Sequence, residues 1–144
     1  MTKKELLEKR ILEALTAKKV QLAEYDAYLK TEHDKYMEEA ANQTEECFKK
    51  DAIHRARYSL SHQTHGYGFL EEWKNAIAKA MYSRIYHQWH SAECGGRGFK
   101  GHGAYITSEL NEDEQANVDE VFNRLVKRGY LKLSKSGKMA TFTK

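Results

Sequence analysis

The sequence predicts a mainly α-helical protein with a small β-hairpin, an α+β chain, and three observations predict it. Residues 116–128 carry Val118, Val121, Phe122, Leu125 and Val126, the i, i+3, i+4, i+7, i+8 spacing of a helix with one apolar face. Past Gly129, residues 130–133 and 139–143 alternate apolar with polar side chains around a turn at 134–138 that contains Gly137, the pattern of a hairpin. Trp73, Ile77, Met81, Ile85 and Trp89 recur at every fourth residue, which marks a second amphipathic helix.

Taken in order, residues 2–39 read as one long helix. Thr2 is placed to cap it, with Glu5 three residues on as the reciprocal partner. Leu15, Leu22, Leu29 and Tyr36 recur at intervals of seven, with Ile11 and Tyr25 near the intervening positions and Lys18 interrupting the seam. Such a stripe either packs on its own domain or zips to a second copy or a protein partner. Residues 40–61 read as another helix, with Glu45 and Glu46 early and Lys49, Lys50, Arg55 and Arg57 later, an order that suits the helix dipole or a basic face for a partner.

Glycines and small polar residues make 61–68 a connection. Residues 69–92 form the expected core helix, its stripe widened by Leu70 and Ala80. A glycine-rich loop with Arg97 and Lys100 follows, then a short strand at 104–107. Ser108 or Asn111 caps the next helix, whose first turn holds Glu112, Asp113 and Glu114. Gly129 is placed to end that helix, with Lys127 and Arg128 in the last turn where cations belong. The expected division is a helical region at 1–61 and a second domain at 69–144.

A chain of 144 residues with 40% hydrophobic and 31% charged residues affords one modest core and long solvated faces. The net charge of +3 conceals a strong separation. Six acids and no Lys or Arg lie in 101–122, and seven Lys or Arg and no acid in 123–144. Two cysteines cannot build a disulfide framework, which points to a reducing compartment. The first residues, MTKKELLEKRILEAL, lack a continuous apolar stretch and do not read as a signal peptide, and no apolar run nears the ~20 residues that span a bilayer. A cytoplasmic protein without membrane contact is expected.

The succession of short strand, polar turn, amphipathic helix and hairpin resembles the second half of a winged-helix domain. The matching residues are Val118, Val121, Phe122, Leu125, Val126, Gly129, Tyr130 and Leu131, then Lys135, Ser136, Gly137 and Lys138 at the wing tip. The likeness is good over 104–144 and loose from residue 69. It implies duplex DNA as partner, with the helix entering the major groove and the wing on the backbone or minor groove. Lys132, Lys135 and Lys138 on the hairpin, with Arg124 and Lys127 on the helix, are the implied nucleic-acid contacts. The chain departs from that pattern where Asp119 and Glu120, preceded by Glu112, Asp113 and Glu114, occupy the leading end of the helix. Carboxylates there repel phosphate, although they also satisfy a helix N-terminus.

His87, His90, Cys94 and His102 form the candidate metal set, because imidazoles three apart share a helical face and a thiolate one turn on would complete tetrahedral zinc. No CxxC or finger spacing accompanies them, so no cofactor is expected. His62 and His65 repeat the spacing. Cys94 near His90 is the one nucleophile–base arrangement, Glu71 and Glu72 offer carboxylates, and no G-x-S-x-G, P-loop or H-E-x-x-H signature appears. The sequence therefore argues against an enzyme. In the loop GGRGFKGHG, Arg97, Lys100 and the backbone N–H groups suit a phosphate, with Phe99 between the cations, or the loop is a connector.

Two functions compete. One is a small nucleic-acid-binding regulator that uses a basic wing and keeps its N-terminal helices for dimerisation or a partner. The other is a protein-binding adaptor or inhibitor, of the kind many phage-encoded proteins use on host machinery. It would dock through Leu15, Leu22, Leu29 and Tyr36 or through Asp119 and Glu120.

Overall fold

The computed structural model describes residues 2–82 and 110–144. Their elements are α1 (Lys3–Asn42), α2 (Glu46–Ser61), β1 (Tyr67–Phe69), α3 (Leu70–Met81), α4 (Glu112–Lys127), β2 (Leu131–Leu133) and β3 (Met139–Phe142). The described residues are mainly helical with one small antiparallel sheet, as the periodicities predict.

It divides into two compact units: Met1–Gln21 with Gly66–Lys144, and Leu22–His65. The helical region 1–61 is thus shared between units, because α1 contributes its first part to one and the rest to the other.

In the first unit the strands lie in the order β1-β3-β2. β3 is central, pairing Gly68 with Ala140 on one side and Leu131 with Phe142 on the other. Alternation sorts the faces: Gly68, Leu131, Ala140 and Phe142 are buried, while Tyr67, Lys132 and Thr141 share the opposite row. The sheet packs against α3 and α4, whose apolar stripes (Trp73, Ile77 and Ala78; Val118, Val121, Phe122 and Leu125) are buried, as are Ile11 and Leu15 of α1. Each fully buried Leu, Ile or Val contributes about 1.5–3 kcal/mol. The Trp73 indole Nε1 donates to the Ala140 carbonyl at 2.7 Å and so needs no water. Lys18, the odd residue of the seam, pairs with Glu72 at 3.2 Å. The other Glu72 carboxylate oxygen accepts from Phe69 N at 2.7 Å and caps α3.

In the second unit α1 and α2 run antiparallel. Residues 43–45 reverse the chain, and the segment after α2 returns to Asp26 of α1. The Asp26 carboxylate accepts from Thr64 N (2.6 Å), Thr64 Oγ1 (2.9 Å) and His65 N (2.9 Å), and its backbone carbonyl accepts from Gln63 Nε2 (3.0 Å). Those bonds hold His65 at φ 54°, a left-handed value uncommon outside glycine. Leu22, Tyr25, Leu29, Ala40, Ala52 and Ala56 are buried.

Three boundaries differ from the sequence reading. α1 runs on to Asn42 and α2 begins at Glu46 rather than residue 40. The connection expected at 61–68 contains the start of β1, whose three residues are fixed by pairing with β3 rather than by any local pattern. The helix expected over 69–92 ends at Met81, where Tyr82 turns extended (φ −125°, ψ 98°). No glycine or proline stops it. Asn117 Nδ2 of α4 donates to the Tyr82 hydroxyl at 3.2 Å. Ile85, Trp89 and the strand expected at 104–107 lie outside the described residues.

Candidate nucleic-acid interface

α4 is capped at both ends and runs directly into the hairpin. At its start Glu114 N donates to Asn111 Oδ1 (2.8 Å) and Asn111 N to Glu114 Oε1 (3.1 Å), a reciprocal capping box. At its end Gly129 N donates to the Val126 carbonyl (3.1 Å) and Tyr130 N to the Leu125 carbonyl (3.0 Å). That bond pattern is the Schellman motif, and it needs the left-handed φ of 79° that Gly129 supplies. The chain therefore leaves α4 directly into β2. Thr143 closes the base of the hairpin, donating from N to the Tyr130 carbonyl (2.9 Å) and from Oγ1 to the Gly129 carbonyl (2.6 Å).

At the tip, Gly137 N donates to the Ser134 carbonyl at 2.9 Å, and Gly137 takes φ 74°. Serine at the first and glycine at the fourth position suit such a turn. Lys132, Lys135 and Lys138 are all exposed, and no carboxylate among the described residues lies within 4.0 Å of them. The exposed side of α4 carries Ala116, Glu120, Asn123, Arg124 and Lys127, which with Asp119 line a shallow open groove.

The acids at the leading end of α4 are largely engaged locally. Glu114 belongs to the capping box, and Glu112 and Asp113 occupy the first turn, where the helix dipole favours them. Asp119 is paired with Lys74 Nζ of α3 at 3.1 Å and accepts from Gln115 Nε2 at 3.1 Å. Lys74 also sits 5.2 Å from the Phe122 ring centroid. Glu120 remains exposed. Among the last-turn cations, Arg128 turns away from this surface. It donates to Glu8 of α1 at 2.7 Å and stacks 5.1 Å from Tyr130, and the Glu8 hydrogen bond holds its guanidinium pKa above the usual value.

The other expected sites fare differently. Leu15, Leu22 and Leu29 are buried in the chain itself, and Tyr36 is half-buried with Arg55 5.9 Å from its ring. The seam is spent on internal packing, so a partner could reach these leucines only by opening the fold, which corrects their reading as a docking stripe. Arg97 and Lys100, and the metal set His87, His90, Cys94 and His102, lie outside the described residues. No group of three or more His, Cys, Asp or Glu among the described residues is placed to hold a metal.

Sequence reasoning missed Lys74 and Asp26, and it offered Glu72 as a carboxylate without its partner Lys18. Each gains its partner from an element distant in the chain, and no local spacing announces the pair. No helix among the described residues is long and apolar enough to cross a membrane. Searches of protein-family models, curated proteins and solved structures find no match to this chain.

Proposed function

We propose that the protein binds duplex nucleic acid as a small regulator, through the β2–β3 hairpin and the exposed stripe of α4 in a winged-helix-like arrangement. One observation carries the reading. Lys132, Lys135 and Lys138 stand exposed on a hairpin without neighbouring carboxylates among the described residues. Unpaired cations on a projecting element are what phosphate contact requires. The order of elements supports it: a strand before α3, then α4 running through a glycine cap into a hairpin whose second strand joins the first. The acids of α4 oppose phosphate less than their number implies, because Lys74 holds Asp119.

Asn123 and Arg124 are polar and exposed in the C-terminal part of α4 and offer donors for base edges, while Lys127 and the hairpin lysines suit phosphates. The exposed Glu112, Asp113 and Glu120 favour a second reading, in which that end of α4 docks on a basic protein surface.

Duplex binding followed by fluorescence anisotropy between about 50 and 200 mM salt separates them. The K135A/K138A variant should lower the slope of log affinity against log salt by about 1.8, two contacts at about 0.9 each. Absence of duplex binding at the lowest salt leaves the protein-docking reading.

A further inference from the structure

We infer that α2 carries a further phosphate-contacting surface, on the stripe Lys50, His54 and Arg57 flanked by Tyr58; the inference rests on the nucleic-acid reading above but uses residues of the other unit. The three basic residues are spaced four and three apart, so they stand one above the other on one side of α2. All three are exposed, and the side that α2 buries, Ala52 and Ala56, lies elsewhere on the helix.

The acids of α2 do not cancel the stripe. Asp51 is bound to Arg55 at 3.2 Å, off the line of the three. Glu46 stands one turn before Lys50 on the same side, in the first turn where the dipole favours it, so it opposes only the leading end of the stripe. Within α2, Lys49, Lys50, Arg55 and Arg57 face only these two acids.

Tyr58 is 62% exposed, the most exposed large hydrophobic side chain among the described residues. Its ring stands 4.3 Å from that of His62, whose Nδ1 donates to the Tyr58 carbonyl at 2.9 Å. The phenol is thereby braced at the surface rather than packed in a core. A braced phenol can donate to phosphate, and a basic stripe beside it supplies the counter-charge. A polyanion of regular charge spacing fits this surface better than an apolar partner does. Exposed α1 in the same unit pairs Asp34 with Lys30 at 2.8 Å and sets Glu24, Glu38 and Glu39 against Lys35, a net acidic surface that favours such a ligand less than α2 does.

The test is a salt titration of duplex binding by the full chain, its K50A/R57A variant and a K35A control, Lys35 being an exposed cation on α1. K50A/R57A should lower the salt slope by about 1.8 and K35A should leave it unchanged. K50R/R57K should keep the wild-type slope. If the alanine variant loses helical circular dichroism, K50Q/R57Q carries the same expectation. Wild-type slope in the α2 variant, with the hairpin variant still weakened, overturns this inference and spares the hairpin reading. An equal loss in K35A overturns it as a general charge effect. Poly-glutamate that competes as well as DNA at equal charge overturns it in favour of an acidic protein. Failure of the wild-type chain to bind duplex removes both readings together.

Discussion

Trp73 Nε1 donates to the carbonyl oxygen of Ala140 at 2.7 Å, and both residues are fully buried. The bond joins α3 to the central strand of the sheet, so one side chain serves as the largest core filler and as the partner of a backbone oxygen. Trp73→Phe keeps most of the bulk and orphans that acceptor, at about 1–3 kcal/mol. Trp73→Ala adds a cavity and should cost about 3–5 kcal/mol. Urea unfolding followed by circular dichroism reads both. Equal stability of the Phe variant and the wild type would show the bond to be worth nothing net.

Lys18 and Glu72 are only 11% and 9% exposed at their side chains, so their ion pair is close to a buried one. Desolvation makes such pairs costly to break singly and cheap to replace together. Lys18→Met leaves Glu72 uncompensated and should destabilise by about 3–5 kcal/mol. The K18M/E72L double variant should recover most of that loss, less the Phe69 N–H that Glu72 also caps. A double-mutant cycle with additive losses would show that the two side chains do not interact.

Asp26 ties the segment after α2 to α1 through three bonds to its carboxylate. Asp26→Ala removes the carboxylate that accepts from the backbone N–H groups of Thr64 and His65 and from the Thr64 hydroxyl, with an expected loss of about 1–3 kcal/mol for each donor that stays buried and unmatched. Hydrogen exchange at Thr64 and His65 should quicken in this variant before global stability falls. Unchanged protection at both amides would mean that the turn is held by something else.

The parts of the fold legible in the sequence are those whose cause is local. The Asn111 cap, the apolar stripe of α4, the Gly129 stop and the Gly137 turn each depend on residues within about one helical turn, and the structure has all four. β1 was not legible, because Tyr67–Phe69 is a strand only through Met139–Thr141, some seventy positions on. The end of α3 at Met81 was not legible either, since no breaker residue stands there. Lys18 looked like a flaw in a coiled-coil seam until its counter-ion, Glu72, came from another helix. For the candidate interface, the hairpin lysines were readable as charge without acid nearby. The neutralisation of Asp119 by Lys74 was not, because it needs the packing of α3 against α4.

In the proposed nucleic-acid reading Lys74 bears on binding without standing among the expected phosphate contacts. Its ammonium, 3.1 Å from Asp119 and only 19% exposed at the side chain, cancels a charge on the edge of the α4 groove. Lys74→Met should leave the core bulk largely in place and leave Asp119, still accepting from Gln115, without its counter-charge on the edge of the α4 groove. Affinity for duplex at low salt should fall by about three- to tenfold, the effect of about 0.7–1.4 kcal/mol of added repulsion. The salt slope should change by less than one contact, because no phosphate partner is lost. Asp119→Asn in the Lys74→Met background should restore affinity by removing the carboxylate that Lys74 offsets. A Lys74→Met variant with unaltered affinity would mean that the leading half of α4 stands clear of the nucleic acid and that the hairpin alone makes the contact.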